Sequence, residues 1–158
     1  MSMVPFGNLG DLSKPMVTLI EKIASGADVL YEPRRIREKA KAEAHAKKIL
    51  AAADIEVDEM KQRAMQRLVR EQLRKQDNME SIIEKALPGV GNKARPENME
   101  DDWIANFFDK CRLVSDEQMQ ALWAKILAGE ANYPGRFSRK TVNLVSNLEK
   151  SDADTFTK

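Results

Sequence analysis

Residues 34–87 contain neither proline nor glycine, and that absence constrains the fold more than any other feature of the chain. The stretch is built mainly from Ala, Lys, Glu, Arg, Gln, Leu and Met, the residues that lose least on entering a helix. Within it Ala46, Leu50, Ala53, Val57, Met60 and Ala64 step by four, three, four, three and four, the spacing of a heptad seam. The seam takes an extra step of four to Leu68, a stutter that locally relaxes supercoiling. It resumes through Lys75, Met79, Ile82 and Ala86. At ~1.5 Å per residue, ~50 residues in one helix would make a rod of about 75 Å. A break near Asp54 to Asp58, or at Asp77-Asn78, would instead fold it into a helical hairpin. Either way the seam needs a partner helix, from the same chain or from a second copy. Leu50, Ala53, Val57, Met60, Ala64 and Leu68 are therefore the candidate self-association residues.

The flanking sequence is helical too. Ser13 before Lys14-Pro15 predicts an N-cap with proline in the first turn. Met16, Ile20, Ile23, Ala27 and Leu30 follow at amphipathic spacing, up to a break at Pro33. Residues 88–97 carry Pro88, Gly89, Gly91, Asn92 and Pro96 and read as a linker. Beyond it, Asp101 or Asp102 can cap a helix carrying Trp103, Ile104, Phe107, Phe108 and Cys111. Ser115, with Gln118 at capping-box spacing, can start a second bearing Met119, Leu122, Trp123, Ile126 and Leu127. Gly129 is placed as its C′ stop, and Pro134-Gly135 suits a type II turn. Ser138 can cap a helix with Val142, Leu144, Val145 and Leu148, and Ser151 can open another. Apolar residues nowhere alternate with period two.

The predicted fold is all-α. It has an amphipathic N-terminal helix over 1–32, a long charged heptad-bearing helix or helical hairpin over 33–87, a linker over 88–97 and a compact C-terminal helical module over 98–158. Trp103, Phe107, Phe108, Trp123 and Tyr133 gather in that module, so the large side chains of the core are expected there. A helix start at Ser151, so close to Lys158, suggests that the natural product continues further.

Composition excludes more than it identifies. The net charge is +1, so no global field draws the chain to nucleic acid or to an anionic membrane. Basic residues are clustered, however, as Arg34, Arg35, Arg37, Lys39, Lys41, Lys47 and Lys48, against Glu38 and Glu43. Cys111 is the only cysteine, which rules out an internal disulfide and a four-cysteine zinc site. That usage fits a reducing compartment. With no signal-peptide pattern and no apolar run of about 18 residues, the expected location is cytoplasmic, peripheral to a membrane at most.

Several tracts resemble a known bacterial family. They are Leu30-Tyr31-Glu32-Pro33-Arg34-Arg35-Ile36-Arg37, Asp102-Trp103-Ile104, Phe107-Phe108 and Ser115-Asp116-Glu117. Leu122-Trp123-Ala124-Lys125-Ile126-Leu127-Ala128-Gly129-Glu130, Pro134-Gly135, Phe137-Ser138 and Thr141 complete the set. The family is one known only as a domain of unknown function, number 2806 of its series. The run from Leu122 to Glu130, followed by Pro134-Gly135 and Phe137-Ser138, is its specific part. A similar tract occurs in the helical abortive-infection alpha domain, so the resemblance implies a loose link to phage defence. The resemblance also implies a chain that runs on past Lys158.

Each candidate for chemistry has a plainer reading beside it. His45 is the only histidine and lacks companions for a metal site. Cys111 lies four residues after Phe107, on a buried stripe, with no histidine base nearby. Glu100, Asp101 and Asp102 could hold a cation, but carboxylates also suit a helix first turn. Gly89 and Gly91 lack the strand and the Lys-Ser/Thr of a phosphate loop. Arg136, Ser138, Arg139 and Lys140 crowd a helix N-terminus, where unpaired N–H groups attract anions. They are the candidate anion or partner contact; the plainer alternative pairs Arg136 or Arg139 with Glu130. No catalytic, metal or cofactor residue and no small-molecule substrate is expected. The favoured function is a non-enzymatic protein-interaction or assembly module, self-associating or binding another protein; the resemblance implies a setting in bacterial or phage-encoded defence. One alternative is a peripheral membrane or nucleic-acid binder acting through the basic residues. A second is part of an enzyme whose active site lies in a missing C-terminal region.

Overall fold

The computed structural model describes residues 11–33 and 58–156. Among them every regular element is helical, and the protein is all-α.

Helix α1 spans Lys14–Ala27. Ser13 caps it as expected, its Oγ accepting the Met16 N–H at 3.4 Å, with Pro15 in the first turn. It ends earlier than Pro33 suggests, because Asp28 adopts a left-handed conformation (φ 56°). Leu30 therefore falls outside the helical stripe and is exposed, while Val29 and Tyr31 turn into the core. The segment is strapped to the next helix. The Glu32 N–H donates to Glu80 Oε1 at 2.6 Å, and Gln76 Nε2 donates to the Leu30 carbonyl at 3.3 Å.

Helix α2 spans Glu59–Ala86. Asp58 is its N-cap, the carboxylate accepting the Lys61 N–H at 2.9 Å, so the expected break near Asp54 to Asp58 coincides with a helix start. No break occurs at Asp77-Asn78. Asn78 is buried there, and its Nδ2 donates to the Arg112 carbonyl at 2.9 Å.

Residues 88–97 are not a free linker. Two short 3-10 turns, Leu87–Gly89 and Pro96–Asn98, bury Leu87, Val90 and Pro96. Asn132 clasps the stretch, accepting from the Gly91 N–H at 2.8 Å and donating to the Gly89 carbonyl at 3.0 Å.

Helix α3 spans Asp101–Cys111 and buries its expected stripe, Trp103, Ile104, Phe107, Phe108 and Cys111. Its N-cap is Glu100, one residue before the two aspartates, which sit in the first turn. Helix α4 spans Glu117–Asn132. Its cap is Asp116 rather than Ser115, through the Met119 N–H at 3.0 Å. It also runs straight through Gly129, the expected stop. Helix α5, Arg139–Ser146, is capped by Ser138 through the Thr141 N–H at 3.1 Å. It buries Val142 but leaves Leu144 exposed. Helix α6 spans Lys150–Phe156, one residue ahead of the expected Ser151 start, and Asp152 accepts the Glu149 N–H at 2.9 Å.

α1 packs on α3, α2 on α4, α3 on α5 and α4 on α6. One cluster of buried side chains runs through α1 (Leu19, Ile20, Ile23), the C-terminal half of α2 (Ile82, Ile83, Ala86), α3, α4 and Val142. Phe107 sits at its centre, stacked on Trp103 at 5.2 Å and edge-on to Trp123 at 5.3 Å, both favourable ring geometries. The module expected over 98–158 thus shares its core with α1 and α2.

Candidate interaction surfaces

Helix α2 changes character along its length. From Asn78 onward it buries Asn78, Glu80, Ile82, Ile83 and Ala86. Before Lys75 nearly every side chain is exposed, including Met60, Met65 (52%), Leu68 (57%), Val69 and Leu73. At roughly 100° per residue, Ala64, Met65 and Leu68 project into the sector that the core buries through Met79, Ile82, Ile83 and Ala86, with Met60 and Val69 about 40° outside its edges and Leu73 about 80° outside. Gln72, Lys75 and Gln76 fall in or beside that sector between Leu68 and Met79, so the apolar side is interrupted there, and its first half stands outside the core. The expected seam contributed Met60, Ala64 and Leu68 to this face but missed Met65, Val69 and Leu73. These belong to a second register, displaced by the stutter. Leu50, Ala53 and Val57 lie outside the described residues.

The opposite side of the same half-helix is cationic. Arg63, Arg67, Arg70 and Arg74 fall four, three and four residues apart, within about 60° of arc and roughly 150° from the apolar face. They line a shallow groove of about 520 Å³ with Gln66 and Glu71. Glu71 is engaged by Lys75 at 3.1 Å. That hydrogen bond, with the Lys75 charge behind it, holds the Glu71 carboxyl below the usual carboxylate range. Among the described residues no carboxylate lies within ion-pair distance of the four guanidinium groups. The expected basic arm of Arg34, Arg35, Arg37, Lys39, Lys41, Lys47 and Lys48 lies outside the described residues, as does His45.

The 133–138 turn is organised by a buried acid. Glu130 is 3% exposed; its Oε1 accepts the Gly135 N–H and its Oε2 accepts the Phe137 N–H at 3.0 Å. The Arg136 N–H donates to the Tyr133 carbonyl at 3.0 Å, and Gly135 has φ 94°, which fits the expected type II geometry. Trp103 Nε1 donates to the Phe137 carbonyl at 2.9 Å. The Phe137 ring lies on Gly129, where a Cβ would meet its edge at 2.8 Å. That contact explains the helical glycine: it permits a close approach inside α4. Arg136 does not pair with Glu130. Its guanidinium lies over the Phe137 ring at 5.4 Å and the Tyr133 ring at 6.0 Å, a cation–π arrangement. Arg139 and Lys140 are exposed beside it, whereas the Ser138 hydroxyl serves as helix cap and faces Thr141 Oγ1. A cleft of about 290 Å³ here is lined by Glu100 and Glu130 as well as Arg139, so its charge is mixed.

The remaining candidates have structural roles. Cys111 is fully buried, and burial pushes its thiol well above the usual range, away from the reactive thiolate. Asp101 pairs with Lys22 at 3.0 Å, tying α1 to α3. Among the described residues no three His, Cys, Asp or Glu side chains converge as metal ligands, and no helix is long and apolar enough to cross a membrane.

The fold and surface define an all-α protein with one core and a projecting two-faced helix. The chain belongs to the family described as "Protein of unknown function (DUF2806)", whose model matches residues 62–158. That span takes in most of α2 and all of α3–α6. No curated protein and no solved structure matches the chain.

Proposed function

We propose that the protein is a non-enzymatic assembly module that pairs with a second copy of itself through the first half of α2. The observation that carries this reading is the exposed apolar surface of Met65, Leu68 and Val69, flanked by Met60 and Leu73, on the side of the helix that faces the core further along. A helix that remains apolar on its core-facing side after leaving the core has surface still to bury. Pairing two such faces removes both from water, at about 25 cal/mol for each Å² of apolar surface covered. Long, unbranched Met and Leu side chains can interdigitate between two helices of identical sequence.

The site-specific test is sedimentation velocity on Leu68→Glu and Leu73→Glu, beside Leu144→Glu on α5 as an exposed apolar control. The two α2 variants are expected to dissociate the assembly while the control leaves it intact. Equal sedimentation of all three would remove α2 as the interface. A wild-type chain that is already monomeric would assign the apolar face to another occupant.

A further inference from the structure

We infer that the arginine stripe of α2, Arg63, Arg67, Arg70 and Arg74, is a binding surface for the phosphate backbone of double-stranded nucleic acid. This rests on a different face of the helix from the proposed self-pairing and stands or falls separately.

Four observations converge on that ligand. The first is charge. Residues 58–77 hold six basic side chains (Lys61, Arg63, Arg67, Arg70, Arg74, Lys75) against Asp58, Glu59, Glu71 and Asp77, a local net of +2 in a chain whose total is +1. Glu71 is already engaged by Lys75, and none of the four guanidinium groups has an ion-pair partner among the described residues. The second is geometry. At ~1.5 Å per residue the stripe is about 16 Å long. That length spans roughly five phosphates of one duplex strand at their ~3.4 Å axial spacing. The third is residue type. All four members of the line are arginine, whose planar fork binds phosphate oxygens bidentately where lysine offers a point charge.

The fourth is the company the stripe keeps. Around the helix it is flanked by Glu59, Gln66, Glu71 and Asp77 and meets an exposed apolar side chain only at Met60, beside Arg63 and Arg67, so it offers little of the apolar centre of a protein–protein interface. Helix α2 carries no aromatic residue on which unpaired bases could stack, which points to duplex backbone and away from single strands. A bilayer fits poorly as well. A helix lying on a membrane turns its apolar face down, which would lift this stripe into water. Recognition by such a line is independent of base sequence, because phosphate contacts position a protein without reading bases.

The test is fluorescence anisotropy of a labelled mixed-sequence DNA duplex titrated with the full chain at several salt concentrations. The variants are the pair Arg67→Glu/Arg70→Glu and, separately, Arg139→Glu/Lys140→Glu on α5. Circular dichroism checks that each variant keeps its helix content. Wild-type affinity is expected to fall with salt on a log–log slope of about −3 to −4, as three or four phosphates are neutralised. The α2 pair should lose affinity by at least roughly tenfold and flatten that slope by about two, while the α5 pair behaves as wild type. Three results overturn the inference. One is unchanged binding in the α2 pair. Another is loss of binding only in the α5 pair. The third is wild-type binding to phosphatidylserine vesicles or polyglutamate without binding to duplex.

Discussion

At Gly129 a single hydrogen decides how two elements meet. Replacing an interior helical glycine with alanine ordinarily gains stability, because alanine is the better helix former by about 1 kcal/mol. Here the added methyl would stand 2.8 Å from the Phe137 ring. The backbone that carries that ring is held on both sides, its N–H donating to Glu130 Oε2 and its carbonyl accepting from Trp103 Nε1. Gly129→Ala is therefore expected to destabilise the protein by about 1–3 kcal/mol through overpacking, measured by urea denaturation; a stabilised variant would mean the ring moves freely. Sequence alone places a helix stop at Gly129 because glycine most often ends helices. The ring that makes glycine necessary comes from eight residues further along the chain, beyond the reach of local pattern. Asp116 shows a milder version of the same limit: Ser115 and Asp116 are both good caps, and backbone geometry chose the second. The Asp116 carboxyl is held below the usual aspartate range, first by the Met119 N–H and then by Lys150. A depressed folded-state pKa contributes stability above the ordinary aspartate range and loses it as pH falls through the depressed value. Asp116→Asn should thus melt lower than wild type at neutral pH, with the gap in Tm closing in acid. A gap independent of pH would contradict this role.

Among the elements, α1, α3 and α4 were the most legible. Their apolar residues recur every three or four positions, and most of the positions read that way are buried, from Ile20 and Ile23 to Trp123 and Leu127. The arginine stripe was equally available, since Arg63, Arg67, Arg70 and Arg74 carry heptad spacing of their own. A search for dense runs of charge passes over them because Gln, Leu, Val and Met intervene; only the helical period collects them. What no period could tell is that α2 is half inside the core and half outside. Its two halves should differ in local stability accordingly. Native-state hydrogen exchange in dilute solution is expected to show amides near Ile82 and Ile83 exchanging slowly and those between Arg63 and Leu73 faster. Concentrating the protein should slow the second group as the apolar faces pair. Equal protection at high dilution would contradict the division.

Across the whole molecule, punctuation and packing give different boundaries. Pro88, Gly89, Gly91 and Pro96 punctuate the chain, yet the stretch is pinned by Asn132 and buries Leu87, Val90 and Pro96. Proline and glycine report where the backbone turns and are silent on whether it leaves the core. Because α1 and the end of α2 supply Leu19, Ile23, Ile82 and Ile83 to the cluster around Phe107, the protein should unfold as one unit. Phe107→Ala is expected to cost about 3–5 kcal/mol and to lower a single calorimetric transition. A fragment of residues 98–158 should show no cooperative melt, whereas a self-sufficient C-terminal module would melt much as the full chain does. At this scale α1 and α3–α6 share one core with the end of α2, and the apolar side of the first half of α2 is the surface we propose a second copy covers. Molar mass by light scattering over a dilution series, at low and high salt, is the most direct test. The account predicts twice the 17.9 kDa chain mass at the concentrated end under both salts, falling toward one chain on dilution and in Leu68→Glu. A single-chain mass at every concentration would contradict it.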